Sequence, residues 1–577
     1  MHTFKVWAPR ARTLEVKIEQ ERFPLKECEG GWWSAAIAAA GPGTDYLFVI
    51  NGEEPPVPDP RSSWQPYGVH GASRVFDHAA FAWTDAGWQP PPLSSAIIYE
   101  LHIGTFTAEG TLEAAESRLD YLKDLGISHV ELMPVAAFDG KRGWGYDGVD
   151  LYAPHIAYGG PSALQHFVNA CHNKGLAVLL DVVYNHLGPS GNYLAKFGPY
   201  FTHSHSTPWG DAVNLEDAES NEVRRFFIDN ALMWLRDYHF DGLRIDAVHA
   251  FVDRSAIHFL EELADDVRVL ESRLAKSFVV IAESDLNDPR VVKAKEGGGF
   301  GLDAQWSDDF HHALFTVLTG ERQGYYEDFG SFADLAKALE EVFVYSGNYS
   351  RFRRRNHGRP VAGLSGNRFL GYIQNHDQVG NRATGDRLGQ LVCLGRSKIA
   401  AALVLTSPFV PMLFHGEEFG ASSPFQYFTD YEDAELGQLV SQGRKREFAA
   451  FGWSPNEIPD PQDETTFERS KLNWSELETS PHAELFEWYK RLIRLRRSQN
   501  DLEDGNLRAV RVRYDEEAKW LVMERGRVRV ACNFAPERAV LGIGSTAKLL
   551  AASDSSVILL PSDIELGPNS VAILETI

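Results

Sequence analysis

Four short polar clusters stand where apolar runs end. Asp181-Val182-Val183-Tyr184-Asn185-His186 follows one run. Arg244 and Asp246 close Gly242-Leu243-Arg244-Ile245-Asp246. Glu283 and Ser284 follow Ile281-Ala282, and Gln374-Asn375-His376-Asp377-Gln378 follows a fourth. Singly, each has an ordinary explanation. A strand-end Asp caps the next helix, and a buried His is more often a hydrogen-bonded core residue than a catalyst. Alternation along a strand puts Arg244 and Asp246 on the same side. Three carboxylates, two imidazoles and a guanidinium at one rim would be costly to gather unless they had a task. No HExxH or facial-triad spacing marks a metal site. Glycosidic cleavage fits better. It needs a nucleophilic carboxylate kept ionised by a nearby cation, and a second carboxyl kept protonated by burial and neighbouring anions. A third carboxylate can hold sugar hydroxyls.

These clusters need strands to bring them to one rim. Runs at Ala96–Leu101, His129–Pro134, Ala177–Val182, Gly242–Asp246, Phe278–Glu283, Leu302–Trp306, Phe369–Gln374 and Met412–Phe414 read as eight strands. Amphipathic segments such as Leu112–Leu125 and Glu222–Asp237 lie between them, which indicates a (β/α)8 TIM barrel. A doubly wound sheet is the competitor, but no Gly-rich fingerprint follows the first strand, and Glu296-Gly297-Gly298-Gly299 is no P-loop. Gly188–Asp217 reads as an insertion on the loop face where barrel enzymes build their sites. Residues 1–90 alternate like a small β-sandwich, and Pro90-Pro91-Pro92 reads as a stiff linker. The barrel is expected over 91–500. A helix around Glu484–Arg497 precedes a C-terminal all-β domain, 501–577, with strands at Val510–Tyr514, Trp520–Glu524, Val528–Asn533, Val557–Leu560 and Val571–Leu574.

Composition sets the outer limits. The 577 residues exceed one core and predict two to four domains. A net charge of -24 argues against nucleic-acid binding, and the basic run Arg351–Arg355 is expected to be a solvated or ion-paired face. Four scattered cysteines form neither a disulfide framework nor a zinc site. No signal peptide or long apolar run is present, so a cytoplasmic protein without membrane contact is expected. Aromatic residues make up 12%, a share that suits stacking on sugar rings.

The motifs DVVYNH, GLRID, AES and QNHD resemble, in order and spacing, the signature regions of the α-amylase family of retaining glycoside hydrolases. The resemblance implies Asp246 as nucleophile, Glu283 as general acid/base and Asp377 as transition-state stabiliser. It places His186, Arg244 and His376 around the attacked sugar, with Tyr146 of Trp144-Gly145-Tyr146-Asp147 stacked on it. Longer matches, among them WGYDGVDLYAPHIAYGG, GLDAQWSDDFHHAL and SPFVPMLFHGEEFG, run through essentially the whole chain and narrow the resemblance to the family's trehalose-releasing branch. That branch implies hydrolysis of the α-1,4 bond next to the trehalose end of a maltooligosyl trehalose. It also implies an upstream maltooligosyl trehalose synthase, without a stable complex. Further substrate contacts are implied at His249, Asp308, Asp309, His312, Gln378 and Asn381, although Asp308 could simply be a helix N-cap and His249 a solvated surface residue. His415 stands where the family more usually has an apolar residue, and Glu417 lies two positions on. Asn185 holds the position that can ligate calcium in amylases. Neither metal nor cofactor is expected, and Asn185 and Asp181 are expected to tie strand ends together and support Arg244. Two alternatives stay open. One is an α-1,4-glucan branching enzyme, and the other is a glycan-binding protein without activity.

Overall fold

The computed structural model describes residues 1–449, 453–454 and 457–577. Eight parallel strands close into a barrel: β1 Ile98–Leu101, β2 His129–Leu132, β3 Ala177–Val182, β4 Gly242–Ile245, β5 Val279–Ala282, β6 Ala304–Trp306, β7 Phe369–Gly371 and β8 Val410–Phe414. β8 pairs with β1 through Met412–Ile98 and Phe414–Glu100, which completes the ring. Seven of the strands are buried throughout, and β5 is buried apart from its first residue, Val279. Helices cover the outer face of a parallel barrel, so its strands read as continuous apolar runs.

The strands are shorter than the sequence predicts at the rim. β4 ends at Ile245, β5 at Ala282 and β7 at Gly371. Asp246 and Glu283 are therefore the first residues past their strands. Their amides still donate to the neighbouring strand, Asp246 N to Val182 O at 3.0 Å and Glu283 N to Ile245 O at 3.0 Å. The expected helix over Leu112–Leu125 is two pieces, Leu112–Glu116 and Leu119–Leu125, because Arg118 leaves helical geometry (φ -102°, ψ 2°). The helix expected at Glu222–Asp237 runs over Ser220–Asp237.

The N-terminal strands form two small antiparallel sheets. One is ordered His2–Trp7, Trp32–Ile37, Lys26–Glu27. The other is Glu21–Pro24, Leu14–Ile18, Asp45–Ile50, Ser73–Arg74. They are tied to the barrel by Arg61, which donates to Asp229 at 3.0 Å and to Tyr152 at 2.8 Å, and by Trp32, which donates to Glu222 at 3.2 Å. The insertion after β3 carries a hairpin, Phe201–Thr207 with Gly210–Val213. A five-stranded sheet and a three-stranded sheet form the C-terminal part after helix His482–Ser498. Three of their strands, Ala539–Gly542, Ala547–Ala552 and Asp563–Leu566, are additional to those predicted. Among the described residues no helix is long and apolar enough to cross a membrane, and Cys28, Cys171, Cys393 and Cys532 are free thiols.

Candidate active site

The register Ile245–Ala282 between β4 and β5 sets Asp246 and Glu283 side by side on the next rung. Arg244, on β4, is fully buried and reaches both. Its Nη1 donates to Asp246 Oδ1 at 2.8 Å, and its Nη2 lies 3.3 Å from Glu283 Oε2. The same Nη1 donates to Asp181 Oδ2 at 2.6 Å, so Asp181 supports Arg244 as expected. Asn185 ties its strand end to the neighbouring one by donating to the Asp246 backbone carbonyl at 2.9 Å, and it also donates to Asp246 Oδ2 at 2.7 Å rather than contacting Arg244. Asp246 thus receives two side-chain donors, one of them a full cation. Glu283 sits differently. Burial pushes its carboxyl upward and Arg244 opposes this, while Asp246 and Asp377 add to the rise. A carboxyl biased toward its protonated form beside a carboxylate bound by a guanidinium is the pairing that an acid and a nucleophile require.

Ala247 holds this arrangement from the backbone. It takes a left-handed conformation (φ 38°, ψ 52°), and its N–H donates to Glu283 Oε2 at 2.5 Å. A non-glycine residue there stores about 1–3 kcal/mol of strain, which the surrounding contacts must hold. His249 follows in a short turn, Val248–Ala250.

His376 and Asp377 begin a short helix after β7, capped by Asn375 and Gln378. Glu100, at the end of β1, accepts from His376 Nδ1 and from its backbone N–H. Burial opposes charge on this imidazole, but Glu100 and Asp377 outweigh it and raise its pKa to about 9. Tyr146 stacks on His376 with centroids 5.0 Å apart and donates to Asp181 at 2.6 Å. His186 bonds the Tyr146 carbonyl at 3.0 Å and stacks on Trp209 at 4.6 Å.

Glu283 and Asp377 lie at the junction of two chambers, with Asp246 in the wall of the larger. The larger, about 580 Å³, is walled by Tyr146, His186, Trp209, Tyr427 and Arg444. The smaller, about 280 Å³, is walled by Asp308, His312, Tyr325, Phe352, Arg353 and Gln378. Glu283, His249, Asp377 and Asn381 border both. Asp308 is not a helix cap: Ser307 occupies that position, and Asp308 accepts from Tyr372 at 2.6 Å and Gln378 at 3.4 Å. Burial raises its pKa to about 7. A groove of about 1100 Å³ beside helix Phe332–Glu341 is larger but lacks aromatic and imidazole groups in its lining.

Asp309 is brought to neither chamber. It is buried, and its carboxylate accepts from Asn287 at 2.8 Å and from Tyr345 N–H at 2.9 Å, so it braces loops behind the wall. His415 and Glu417 are also buried in the barrel wall, His415 accepting from His102 N–H and Glu417 from Tyr489. The basic run is corrected in part. Arg353 is ion-paired with Asp285 at 2.9 Å, but it and Phe352 line the smaller chamber. Glu100, Trp209, Tyr427 and Arg444 were not singled out from the sequence. Among the described residues no group of three or more His, Cys, Asp or Glu is placed to hold a metal ion.

Barrel and rim together define a glycosidase of the α-amylase family. A model of the alpha amylase catalytic domain matches residues 80–211, and a domain of unknown function matches residues 505–573. The malto-oligosyltrehalose trehalohydrolase of Rhizobium sp. (strain M-11) is 50% identical over 99% of this chain and 97% of its own, and that of Mycobacterium tuberculosis is 48% identical over 100% and 99%. The crystal structure of a provisional alpha amylase from Salmonella typhimurium superposes with a TM-score of 0.91 at 36% identity, covering 100% of this chain and 97% of that one. The chain belongs to the malto-oligosyltrehalose trehalohydrolase family.

Proposed function

We propose that the enzyme hydrolyses the α-1,4 bond next to the trehalose end of a maltooligosyl trehalose by double displacement. Asp246 attacks the anomeric carbon while Glu283 protonates the departing trehalose oxygen. Glu283, now ionised, takes a proton from water, which releases the glycosyl group from Asp246 with net retention. Asp377 and His376 hold hydroxyls of the distorted sugar, and Tyr146 stacks on it. The observation that carries this reading is the Arg244 guanidinium spanning Asp246 and Glu283, since it balances the attacker while burial biases the acid toward its protonated form. The smaller chamber, on the Glu283 side, takes the leaving disaccharide, with Asp308, His312, Gln378 and Arg353 facing its hydroxyls. The maltooligosyl part lies along the larger chamber. The substrate then comes from an enzyme that builds the terminal α,α-1,1 linkage, a maltooligosyl trehalose synthase. Four free thiols support a cytoplasmic location.

Purified protein is given maltooligosyl trehalose and plain maltooligosaccharide in parallel, and products are followed by NMR. Trehalose from the first substrate, with the new reducing end appearing as the α anomer, is expected. A β anomer removes the double displacement. New α-1,6 branches without trehalose would favour a branching enzyme, a class to which a 33% identical relative from Thiobacillus denitrificans belongs, aligned over 53% of this chain.

A further inference from the structure

Of the three carboxylates, Asp377 is held least firmly. Its side chain is 46% exposed, against 11% for Asp246 and 15% for Glu283. Arg244 grips the other two; Asp377 instead has Asn381 Nδ2 at 3.2 Å and His376 Nε2 at 3.7 Å. An amide so placed steers a carboxylate only if its oxygen and nitrogen cannot exchange places. Arg444 removes that freedom. Its Nη1 donates to Asn381 Oδ1 at 3.2 Å, and because a guanidinium can only donate, the amide oxygen must face it and the NH2 must face Asp377.

Arg444 itself is well fixed. It sits on helix Ala434–Ala449, 63 residues beyond Asn381. Its Nη2 donates to the Gly380 carbonyl, its side chain is only 11% exposed, and its guanidinium lies 5.0 Å from the Tyr427 ring and 4.5 Å from the Phe448 ring. The helix end it grips has little slack, since a Cβ on Gly380 would meet the Trp144 ring at 2.1 Å. Its remaining face borders the larger chamber beside Glu447.

We propose that Arg444 is a positioning residue for the reaction: through Asn381 it sets the orientation of Asp377, and its charge offsets the Asp377 carboxylate. The inference rests on the role given to Asp377 above. Lysine can supply the charge but not the planar fork that reaches Gly380 and Asn381 together.

The test uses the full chain with R444M, R444K, N381A and the R444M/N381A pair on maltooligosyl trehalose. R444M keeps an unbranched side chain beside Tyr427 and Phe448 while losing charge and fork. Its kcat is expected to fall about tenfold to a hundredfold with KM changed less than about threefold, the scale of a misplaced reacting group. N381A should match it, and the double variant should be no slower than the slower single variant. Glu283 is faced by Arg244, Asp246, Asp377, His249 and Asp308, and Arg444 by Asp377, Glu447 and Tyr427. Removing the cation leaves Asp377 less balanced, so the alkaline limb of kcat/KM should move to higher pH in R444M and stay in place in R444K, whose kcat nevertheless drops. Additive losses, or a raised KM with unchanged kcat, would overturn the proposal. If R444M does not fold, N381A alone decides: wild-type kcat in N381A overturns it. Asp377→Asn separates the two levels. Near-normal turnover there removes the role of Asp377, whereas an inactive Asp377→Asn beside a wild-type-like R444M overturns only this inference.

Discussion

Glu283 shows how one side chain acquires its task from position. Burial, Asp246 and Asp377 raise its pKa while Arg244 lowers it. In the proposed mechanism the acid form starts the reaction, so turnover should fall as pH rises through the raised pKa, and the limb should belong to Glu283. Glu283→Gln is expected to lose about 10²–10⁴ in kcat on maltooligosyl trehalose and to lose that alkaline limb. A Gln variant that keeps the limb would assign it elsewhere. The site was partly legible residue by residue. Asp246, Glu283, Asp377, Arg244, His186 and His376 stand out because each belongs to a polar cluster that closes an apolar run. Glu100 does not stand out, because it sits inside Ile98-Tyr99-Glu100-Leu101, and only barrel closure brings it to His376.

At the scale of elements, strands were legible and their partners on loops were not. Eight apolar runs gave eight barrel strands, since a buried parallel strand needs an unbroken apolar stretch. The exact rim was missed: Asp246 and Glu283 extend the β pattern by one residue, and only the hydrogen-bond ladder shows where pairing stops. Asp309 looked equivalent to Asp308 by adjacency, yet on helix Asp308–Thr319 neighbouring residues point about 100° apart, so one faces the chamber and the other the loops behind it. Trp209 was hidden because its contact, His186, is supplied by a hairpin fold-back across the insertion. Its ring is 49% exposed and lies along the larger chamber, the geometry of a sugar platform. Trp209→Ala should raise KM for longer maltooligosyl trehaloses by about tenfold, equivalent to the ~1 kcal/mol or more of a stacked ring, with kcat little changed. A fall in kcat without a change in KM would give the hairpin a different role.

For the whole molecule, the buried charge at the rim links activity to stability. His376 keeps its proton up to about pH 9 in the folded state, against an ordinary value of 6.5. A raised folded pKa contributes stability that is complete below about pH 6.5 and disappears as pH rises through about 9. The melting temperature should therefore decline between about pH 6.5 and 9, and Glu100→Gln, which removes the main source of the shift, should flatten that decline. An equally steep decline in the variant would trace it to other groups, such as His172, held between Asp85 and Asp241 at 2.8 and 3.0 Å at the far end of the barrel. The shared rung beyond Ile245 and Ala282 has one more consequence. In the proposed mechanism the gap between attacker and proton donor starts from a backbone dimension, a ruler cut into the sheet. An engineer may exchange the wall residues to admit new sugars, but widening that gap through the backbone means moving a strand by a residue, and such a step turns every inward residue of that strand outward.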